Sequence, residues 1–378
     1  MEGQPGPGTV GAHRRYYRPE LDVLRFFAFF LVFLSHTVPG DEAFWAQTPV
    51  AGAAADLIVA LAAGGAFGVD LFFALSAFLI TTLLLRERDS GGTVDVTAFY
   101  TRRILRIWPL YFVFLLIVRP LMSYVLPDES MPLKYTLAFL LLAGNWACVL
   151  WGYPHSAAGP LWSVSIEEQF YLVWPWIVRR WAVNLLVVAL VLLAVSFVTR
   201  FYLVREGAVH PQIWCNTLAR LDPIACGALL AVMARRREIA LSGIARVALL
   251  LLAVAVLTIA GRYGDFVGIR SLVTFPAVTA ACVALILATL GLPMLSARTR
   301  ALQALIYLGR ISYGLYVFHF MFVMLFDVAA THDPRDRVIR IVGTLVATVA
   351  AAAVSYHLLE RPFLQRKERF AHVQSRPV

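Results

Sequence analysis

The sequence predicts an all-α fold, namely a polytopic membrane helix bundle of about ten transmembrane helices plus one re-entrant or short helix. Two observations predict it, the composition and the spacing of the apolar segments. Hydrophobic residues make up 60% of the 378 residues and charged residues only 15%. Soluble domains are nearer to half apolar and a quarter charged. A soluble enzyme, a disordered chain and a collagen-like chain are therefore excluded.

Apolar segments long enough to be membrane helices recur along the whole chain, since a crossing needs about 20 apolar residues. Short links rich in turn residues separate them. Eleven candidates are present: 21–38, 66–85, 107–126, 135–151, 162–178, 182–199, 218–234, 244–260, 271–290, 311–330 and 338–358. We divide the chain into a disordered, basic cytoplasmic N-terminus (1–20), a membrane domain (21–362) and a basic cytoplasmic tail (363–378).

The arginines predict the orientation. Basic runs occur at 14–18, 86–106, 179–180, 235–237, 298–310 and 361–376. Placing these runs in the cytoplasm puts 21 of the 33 cationic residues inside and seven in the outer loops, which agrees with the positive-inside rule. We expect a multi-pass protein of the plasma membrane with both termini in the cytoplasm.

Two cytoplasmic termini require an even number of crossings, so one of the eleven segments does not cross. We expect segment 162–178 to be re-entrant because Glu167, Glu168 and Gln169 make a poor lipid-facing surface. Irregular backbone at membrane depth is tolerated where it lines a cavity within the protein. The second choice is 135–151, which contains Asn145.

Other features narrow the function. The formal charge of +10 is explained by loops that face anionic lipid, and no nucleic-acid recognition module is visible, so we expect no nucleic-acid partner. The four cysteines have no close spacing, so neither a disulfide framework nor a metal site is predicted. Residues 1–20 lack the apolar run of a signal peptide, so we expect the first span to direct insertion.

Ionisable residues inside the spans form the functional shortlist, because they are costly in lipid and usually face a cavity. Arg25 and His36 are eleven residues apart, so they lie on one face of a helix and about 16 Å apart along its axis. Each residue also has a structural explanation, such as a snorkelling arginine or a packed histidine. Further polar residues in the spans are Asp70, Ser76, Ser163, Glu167, Glu168, Asn216, Arg220, Asp222, Ser312, Tyr313, His319, Glu360 and Arg361.

Five motifs in a fixed order resemble the integral-membrane acyltransferase 3 family, which O-acylates sugars, polysaccharides and macrolides. The matching stretches are Arg18 to His36, Gly68 to Leu79, Arg102 to Pro109, Leu161 to Pro175, and 308–319 with the closing Glu360-Arg361-Pro362. The second motif usually reads Ser-Gly, whereas here Ala77 follows Ser76. The sequence ends soon after Arg361, so we expect a membrane enzyme without an appended hydrolase-like domain.

The resemblance implies an acyl-CoA donor, with acetyl-CoA the first choice, and a hydroxyl acceptor on a glycan or a glycosylated metabolite such as a macrolide. We expect His36 to be the general base and Glu167 to orient it. Ser163 and Tyr313 are candidates for oxyanion donors. His319 is either a second site residue or a packed histidine.

The donor phosphates need cationic partners, and arginine forks suit phosphate oxygens. Arg25, Arg102, Arg103 and Arg106 all lie on the predicted cytoplasmic side, where the last three could equally anchor the loop to anionic lipid. The alternative function is a multi-span transporter or exporter of a glycan or metabolite. A transporter should show inverted repeats and paired broken helices, and the sequence shows neither.

Overall fold

The computed structural model describes residues 16–50, 52–126, 128–236, 239–264, 266–292, 299–328, 333–371 and 373. Most of the predicted N-terminal segment 1–20 and part of the predicted tail 363–378 lie outside these ranges. Two arginines of the basic runs, Arg237 and Arg298, also lie outside them.

All regular elements in the described ranges are helical. The α-helices are α1 Pro19–Thr37, α2 Glu42–Trp45, α3 Ala53–Gly64, α4 Gly68–Gly91, α5 Val96–Val113, α6 Arg119–Met122, α7 Leu133–Leu140, α8 Gly144–Trp151, α9 Trp162–Trp181, α10 Leu185–Arg205, α11 Leu221–Arg236, α12 Gly243–Tyr263, α13 Ser271–Thr289, α14 Arg300–Arg310, α15 Ser312–Leu325, α16 Pro334–Ser355 and α17 Arg361–Lys367. The expected all-α polytopic membrane bundle is confirmed.

Six helical stretches are long and apolar enough to cross a membrane, or seven if the pair α14 and α15, bent by 76°, counts as one span. The six are Ala53–Gly91, Val96–Met122, Gly159–Arg205, Gly243–Tyr263, Ser271–Thr289 and Pro334–Phe370. At 1.5 Å per residue, the 47-residue stretch is far longer than one bilayer. Length and composition therefore leave the number of crossings open, and ten stays a prediction.

Helix α1 shows how local sequence sets an element. It begins at Pro19, whose ring suits the first turn, and carries Glu20 and Asp22 in that turn, where carboxylates stabilise the N-terminal end of a helix. With Arg25, these residues place three charges in a helix of 19 residues, so α1 is less apolar than the long stretches described above. Helix α3, in contrast, was not among the expected segments and continues through a short 3-10 turn into α4.

The predicted re-entrant segment 162–178 is instead part of α9, an unbroken helix of 20 residues. Its polar residues find partners on neighbouring helices, so the backbone does not need to break. Trp108 donates to Glu168 at 3.0 Å, and Gln169 donates to Asn145 at 2.9 Å. The prediction was wrong because it assumed that the polar side chains of this segment would face lipid, whereas they face other helices.

The interruption falls in the second-choice segment, 135–151. Helix α7 ends at Leu140 and α8 begins at Gly144, and Leu142 between them has a left-handed backbone with φ 55°. Gln169 of α9 donates to the Leu142 carbonyl at 3.2 Å. A partner inside the protein therefore satisfies backbone that the break has freed, as the membrane interior requires.

Ion pairs at the two ends of the bundle show how the helices run. Arg235, at the end of α11, pairs with Asp89 at the end of α4. Arg262, at the end of α12, pairs with Asp56 near the start of α3 at 2.9 Å. We call the end that contains Arg235 and Asp89 the basic end, because α5 and α17 bring further cationic residues there.

Small residues allow helices α4 and α11 to approach closely. A Cβ atom at Gly227 of α11 would collide with the backbone carbonyl of Ala74 in α4. Close backbone contact through small residues is a common way for membrane helices to pack, since burial of apolar surface gives little driving force in lipid.

Two buried ion pairs hold the centre of this packing. Arg220, which is 0% exposed, donates to Asp70 of α4 at 2.7 Å. Arg200 of α10, 1% exposed, donates to Asp222 of α11 at 2.8 Å. The guanidinium of Arg220 also lies 4.1 Å from the ring centre of Trp214. These contacts connect α4, α10 and α11.

We expect Asp70→Asn to lower the free energy of unfolding by about 3–5 kcal/mol, because it leaves the Arg220 charge buried without its counter-ion. Thermal unfolding of the detergent-purified protein measures the change. The control is Asp56→Asn, which breaks the exposed pair with Arg262 and should change the midpoint little. Equal midpoints for the two variants would contradict the role given to the buried pair.

Candidate active site

Three polar residues on one face of α9 run through the bundle. Ser163, Glu167 and Tyr171 are spaced by four residues, so they lie about 6 Å apart along the axis. We call them the polar stripe. At one end, Ser163 follows Trp162, which lines an outer cavity. At the other, the Tyr171 ring centre lies 5.6 Å from the guanidinium of Arg103.

Glu167 is the middle of the stripe and is already fully bonded. Its Oε1 accepts from Ser76 of α4 at 2.9 Å and its Oε2 from Tyr171 at 2.8 Å. No hydrogen bond joins it to His36 in the described part of the chain. Glu167 is therefore not placed to orient His36 as expected. The reason is its position on α9, which is closer to the basic end than the imidazole.

The outer cavity, which we call the histidine cavity, has a volume of about 530 Å³. His36 lies in its wall with an exposed side chain. Most of the wall is apolar or aromatic, as is usual in small-molecule sites. Burial lowers the pKa of His210 in the same wall, which favours its neutral form. Aromatic and imidazole side chains in the lining include Tyr153, His155, Trp162, His210, Trp214, Phe266, Tyr316 and Phe320.

His36 is paired with His319, which is 0% exposed. His319 Nδ1 lies 2.6 Å from the Tyr316 carbonyl oxygen, and its Nε2 lies 3.3 Å from His36 Nδ1. A carbonyl can only accept, so neutral His319 carries its proton on Nδ1 and accepts at Nε2. His36 must then donate from Nδ1. Its Nε2 keeps a lone pair, which is what a general base needs.

One buried carboxylate shapes another wall of the histidine cavity. Glu129 accepts from the Ser156 hydroxyl at 2.5 Å and from the Ala157 N–H at 2.7 Å. The segment that it holds contributes cavity residues from Tyr153 to Pro160. The sequence placed Glu129 in a link between spans, so its spacing carried no signal of this role.

The four arginines expected to bind the donor, Arg25, Arg102, Arg103 and Arg106, line one cavity at the basic end. We call it the arginine cavity, and its volume is about 80 Å³. Arg18 and Lys367 add two more cationic side chains, against the two acidic side chains Asp22 and Glu87. Lys367 lies in α17, inside the region predicted to be a tail.

Part of this positive charge is neutralised within the protein. Arg102 pairs with Glu87 at 3.0 Å and donates to the Phe370 carbonyl at 2.6 Å. Arg25, Arg103 and Arg106 form no ion pair within the described ranges. The Nε atoms of Arg25 and Arg103 are buried and have no partner there. Three partly buried cations that form no direct ion pair in the described ranges make the cavity suited to an anion.

The two expected oxyanion donors lie in different places. Tyr313 donates to the Ile107 carbonyl at 3.0 Å, so its hydroxyl is committed to backbone outside the histidine cavity. Ser163 lies 2.7 Å from the hydroxyl of Tyr316, which does line that cavity. Sequence reasoning missed Tyr316, although its spacing of three residues before His319 predicts that both share a helix face.

The described residues contain no cluster of three or more histidine, cysteine, aspartate or glutamate side chains that could hold a metal ion. The cationic and imidazole groups are instead gathered at two places. The arginine cavity lies at the basic end and the histidine cavity nearer the opposite end, with the polar stripe between them. Arg25 and His36 on α1 mark a separation of about 16 Å.

Comparisons with known proteins identify relatives along most of the chain. Residues 18–360 match the acyltransferase domain of the acyltransferase 3 family. The peptidoglycan O-acetyltransferase OatA of Listeria monocytogenes is 26% identical over 360 residues, covering 88% of this chain and 56% of the relative. The O-acetyltransferase OatA of Staphylococcus aureus strain NCTC 8325 is 25% identical over 382 residues, covering 94% and 58%.

A putative O-acetyltransferase of Staphylococcus aureus strain COL is 25% identical over 345 residues, covering 83% of this chain and 55% of the relative. The chain thus spans about half the length of the curated relatives that it matches. No solved structure is significantly similar to it. The family match covers far more than half of the sequence, and the chain belongs to the acyltransferase 3 family of membrane acyltransferases.

Proposed function

We propose that the protein is a membrane O-acyltransferase that moves an acyl group, acetyl in the first place, from acyl-CoA to a hydroxyl of a glycan. The observation that carries the proposal is the arrangement of two cavities along one polar stripe. One cavity holds three arginines that form no direct ion pair in the described ranges, and the other holds an imidazole with a free lone pair. A polyanionic donor and a hydroxyl acceptor need these two environments.

The orientation follows from the cationic residues. The basic end carries the arginines of α4, α5 and α11, which the positive-inside rule assigns to the cytoplasm. Acyl-CoA would then reach the arginine cavity from the cytoplasm, and the acceptor would enter the histidine cavity from outside. The same assignment puts both termini in the cytoplasm, and we take the membrane to be the plasma membrane.

The acceptor proposal rests on the walls of the histidine cavity and on the relatives. Trp162 and Trp214 present aromatic surface to the cavity, and aromatic rings give an extended apolar face for a ligand to lie against. Two relatives carry the name O-acetyltransferase, and one of these is named for peptidoglycan. We therefore take a polysaccharide as the acceptor, with peptidoglycan fragments the first to test and macrolides the second.

In the proposed reaction the acyl group moves directly from the thioester to the acceptor oxygen. His36 Nε2 takes the proton of the acceptor hydroxyl while the oxygen attacks the thioester carbonyl. The carbon–sulfur bond then breaks, and the thiolate of CoA takes the proton back from His36. The proton and the electrons balance without a further reactant. The thioester must travel from the arginine cavity towards His36, and the polar stripe gives it a path of hydroxyl and carboxylate groups.

Family membership sets the transporter alternative aside, because the chain is an acyltransferase. A glycan can still enter the histidine cavity from outside without being carried across the membrane.

We expect His36→Ala to reduce acetyl transfer by about 10²–10⁴-fold, because the general base is lost. The assay uses detergent-purified protein, labelled acetyl-CoA and muropeptides from digested peptidoglycan. Donor binding should be unchanged, since His36 does not line the arginine cavity. A wild-type rate in this variant would remove His36 from the mechanism.

We expect His319 to act as a positioning residue for His36. His319→Phe removes the acceptor at Nε2 and should lower kcat at least tenfold with little change in the KM for the donor. His319→Gln can place a carbonyl oxygen near the same point and should recover part of the loss. The rates of both variants are measured as a function of pH, because a change in the preferred tautomer of His36 should shift the dependence of the rate on pH. Equal rates for the Phe and Gln variants would argue against this role.

We expect Arg103→Gln to raise the KM for acetyl-CoA by about 10–100-fold with a smaller effect on kcat, because a charged hydrogen bond to phosphate is lost. The matched control is Arg180→Gln, an exposed arginine at the same end that lines neither cavity. If both variants raise the KM equally, general attraction by positive charge explains the effect and the phosphate site lies elsewhere.

A further inference from the structure

A second and larger cavity opens at the basic end beside the arginine cavity. Its volume is about 1060 Å³, and we call it the basal groove. Tyr16, Arg18 and Val373 line both spaces, so the groove and the arginine cavity lie next to each other and share a wall. The groove lies between α4, α11 and the links that follow α11 and α13.

The two spaces differ greatly in what they can hold. The arginine cavity, at about 80 Å³, has room for two or three water molecules at about 30 Å³ each. Ligand-binding pockets usually have about 300–1,000 Å³, which the basal groove reaches. A phosphate group or a thin chain could occupy the arginine cavity, but a nucleoside could not.

The charge of the groove is strongly positive. Arg18, Arg86, Arg235, Arg236 and Arg246 line it, and the acidic lining residue within the described ranges is Asp89. This excess indicates an anionic ligand.

Not every one of these arginines is available to a ligand. Arg235 pairs with Asp89, and Arg246 donates to the carbonyls of Ala288 and Leu290 at 2.8 and 2.7 Å. Arg236 is exposed and forms no ion pair in the described part of the chain. Arg86 is also exposed and forms no ion pair in the described ranges, and its guanidinium lies 4.2 Å from the ring centre of Tyr16. Arg86 and Arg236 are therefore the groups that can take a phosphate.

The inner wall of the groove is apolar. Phe78, Leu85, Ala231 and Leu290 contribute to it, so the groove combines a cationic rim with an apolar wall. An inorganic anion would gain nothing from contact with this apolar wall. A ligand that carries both phosphate and a flat heteroaromatic base matches both surfaces.

We propose that the basal groove binds the adenosine 3′,5′-bisphosphate end of the acyl-CoA donor, with the 3′-phosphate held by Arg86 and Arg236. This inference rests on the proposed function and extends it. The diphosphate would then pass the shared wall formed by Tyr16 and Arg18 and reach Arg103 in the arginine cavity, and the acyl-bearing arm would continue from there. The nucleotide and the arm thus have separate sites, which separate variants can address.

The first experiment measures binding without turnover. Labelled adenosine 3′,5′-bisphosphate is titrated onto the full-length protein in detergent. Wild type should bind it, and Arg236→Gln and Arg86→Gln should each weaken binding about tenfold, as expected for loss of a charged hydrogen bond. Arg180→Gln, outside the groove, should bind like wild type. Absence of binding by wild type would overturn the groove assignment even if acetyl transfer occurs.

Binding without any acetyl transfer would instead leave the groove in place and count against the proposed function.

The second experiment compares donors. Arg236→Gln should raise the KM for acetyl-CoA about tenfold relative to wild type and should leave the KM for acetyl-phosphopantetheine, which lacks the nucleoside, at the wild-type value. Arg103→Gln should raise the KM for both donors, because it lines the arginine cavity.

A lipid headgroup is the other source of phosphate for such a groove. The donor comparison is therefore repeated in vesicles with and without phosphatidylglycerol. An Arg236→Gln effect that is the same for both donors and appears only with the anionic lipid would assign the groove to lipid and overturn the proposal. A donor-dependent effect in both vesicle types supports it.

Discussion

A charge inside the hydrocarbon layer must find its partner within the protein, because lipid supplies neither water nor counter-ions. The buried pair of Arg220 with Asp70 meets this requirement at the centre of the bundle, where 0% of the arginine is exposed. The pair holds α11 against α4, and its guanidinium lies against Trp214 of the histidine cavity. The shape of that cavity thus depends on a contact that lies outside the cavity itself.

The same requirement separates structural polar groups from functional ones. Glu167 looked like part of a catalytic triad, yet both of its oxygens are bonded to Ser76 and Tyr171. It connects α4 with α9 and lies between the two cavities. Arg25 and Arg103 are the opposite case, since neither forms an ion pair in the described ranges, whereas Arg220 is held by Asp70. Such unpaired cations are retained at a cost, and an anionic ligand is what would offset it.

The two histidines show how a buried group can define the chemistry of an accessible one. His319 is enclosed and bonded to a backbone carbonyl, which sets its tautomer. That tautomer in turn decides which nitrogen of His36 faces the cavity with a lone pair. In the mechanism that we propose, this arrangement takes the orienting task that a carboxylate performs in a hydrolase triad, but without placing a further charge at membrane depth.

The sequence by itself determined the all-α membrane class, the position of most helices and the set of polar residues that the site draws on. Apolar length, proline and glycine positions, and the arginine runs act locally, so they can be interpreted along one chain. Tertiary structure alone decided which residues meet. His36 and His319 are 283 residues apart, and the break between α7 and α8 is stabilised by Gln169 of α9. Helical periodicity says which face of its own helix a side chain occupies, whereas the partner of that face depends on how all the helices pack.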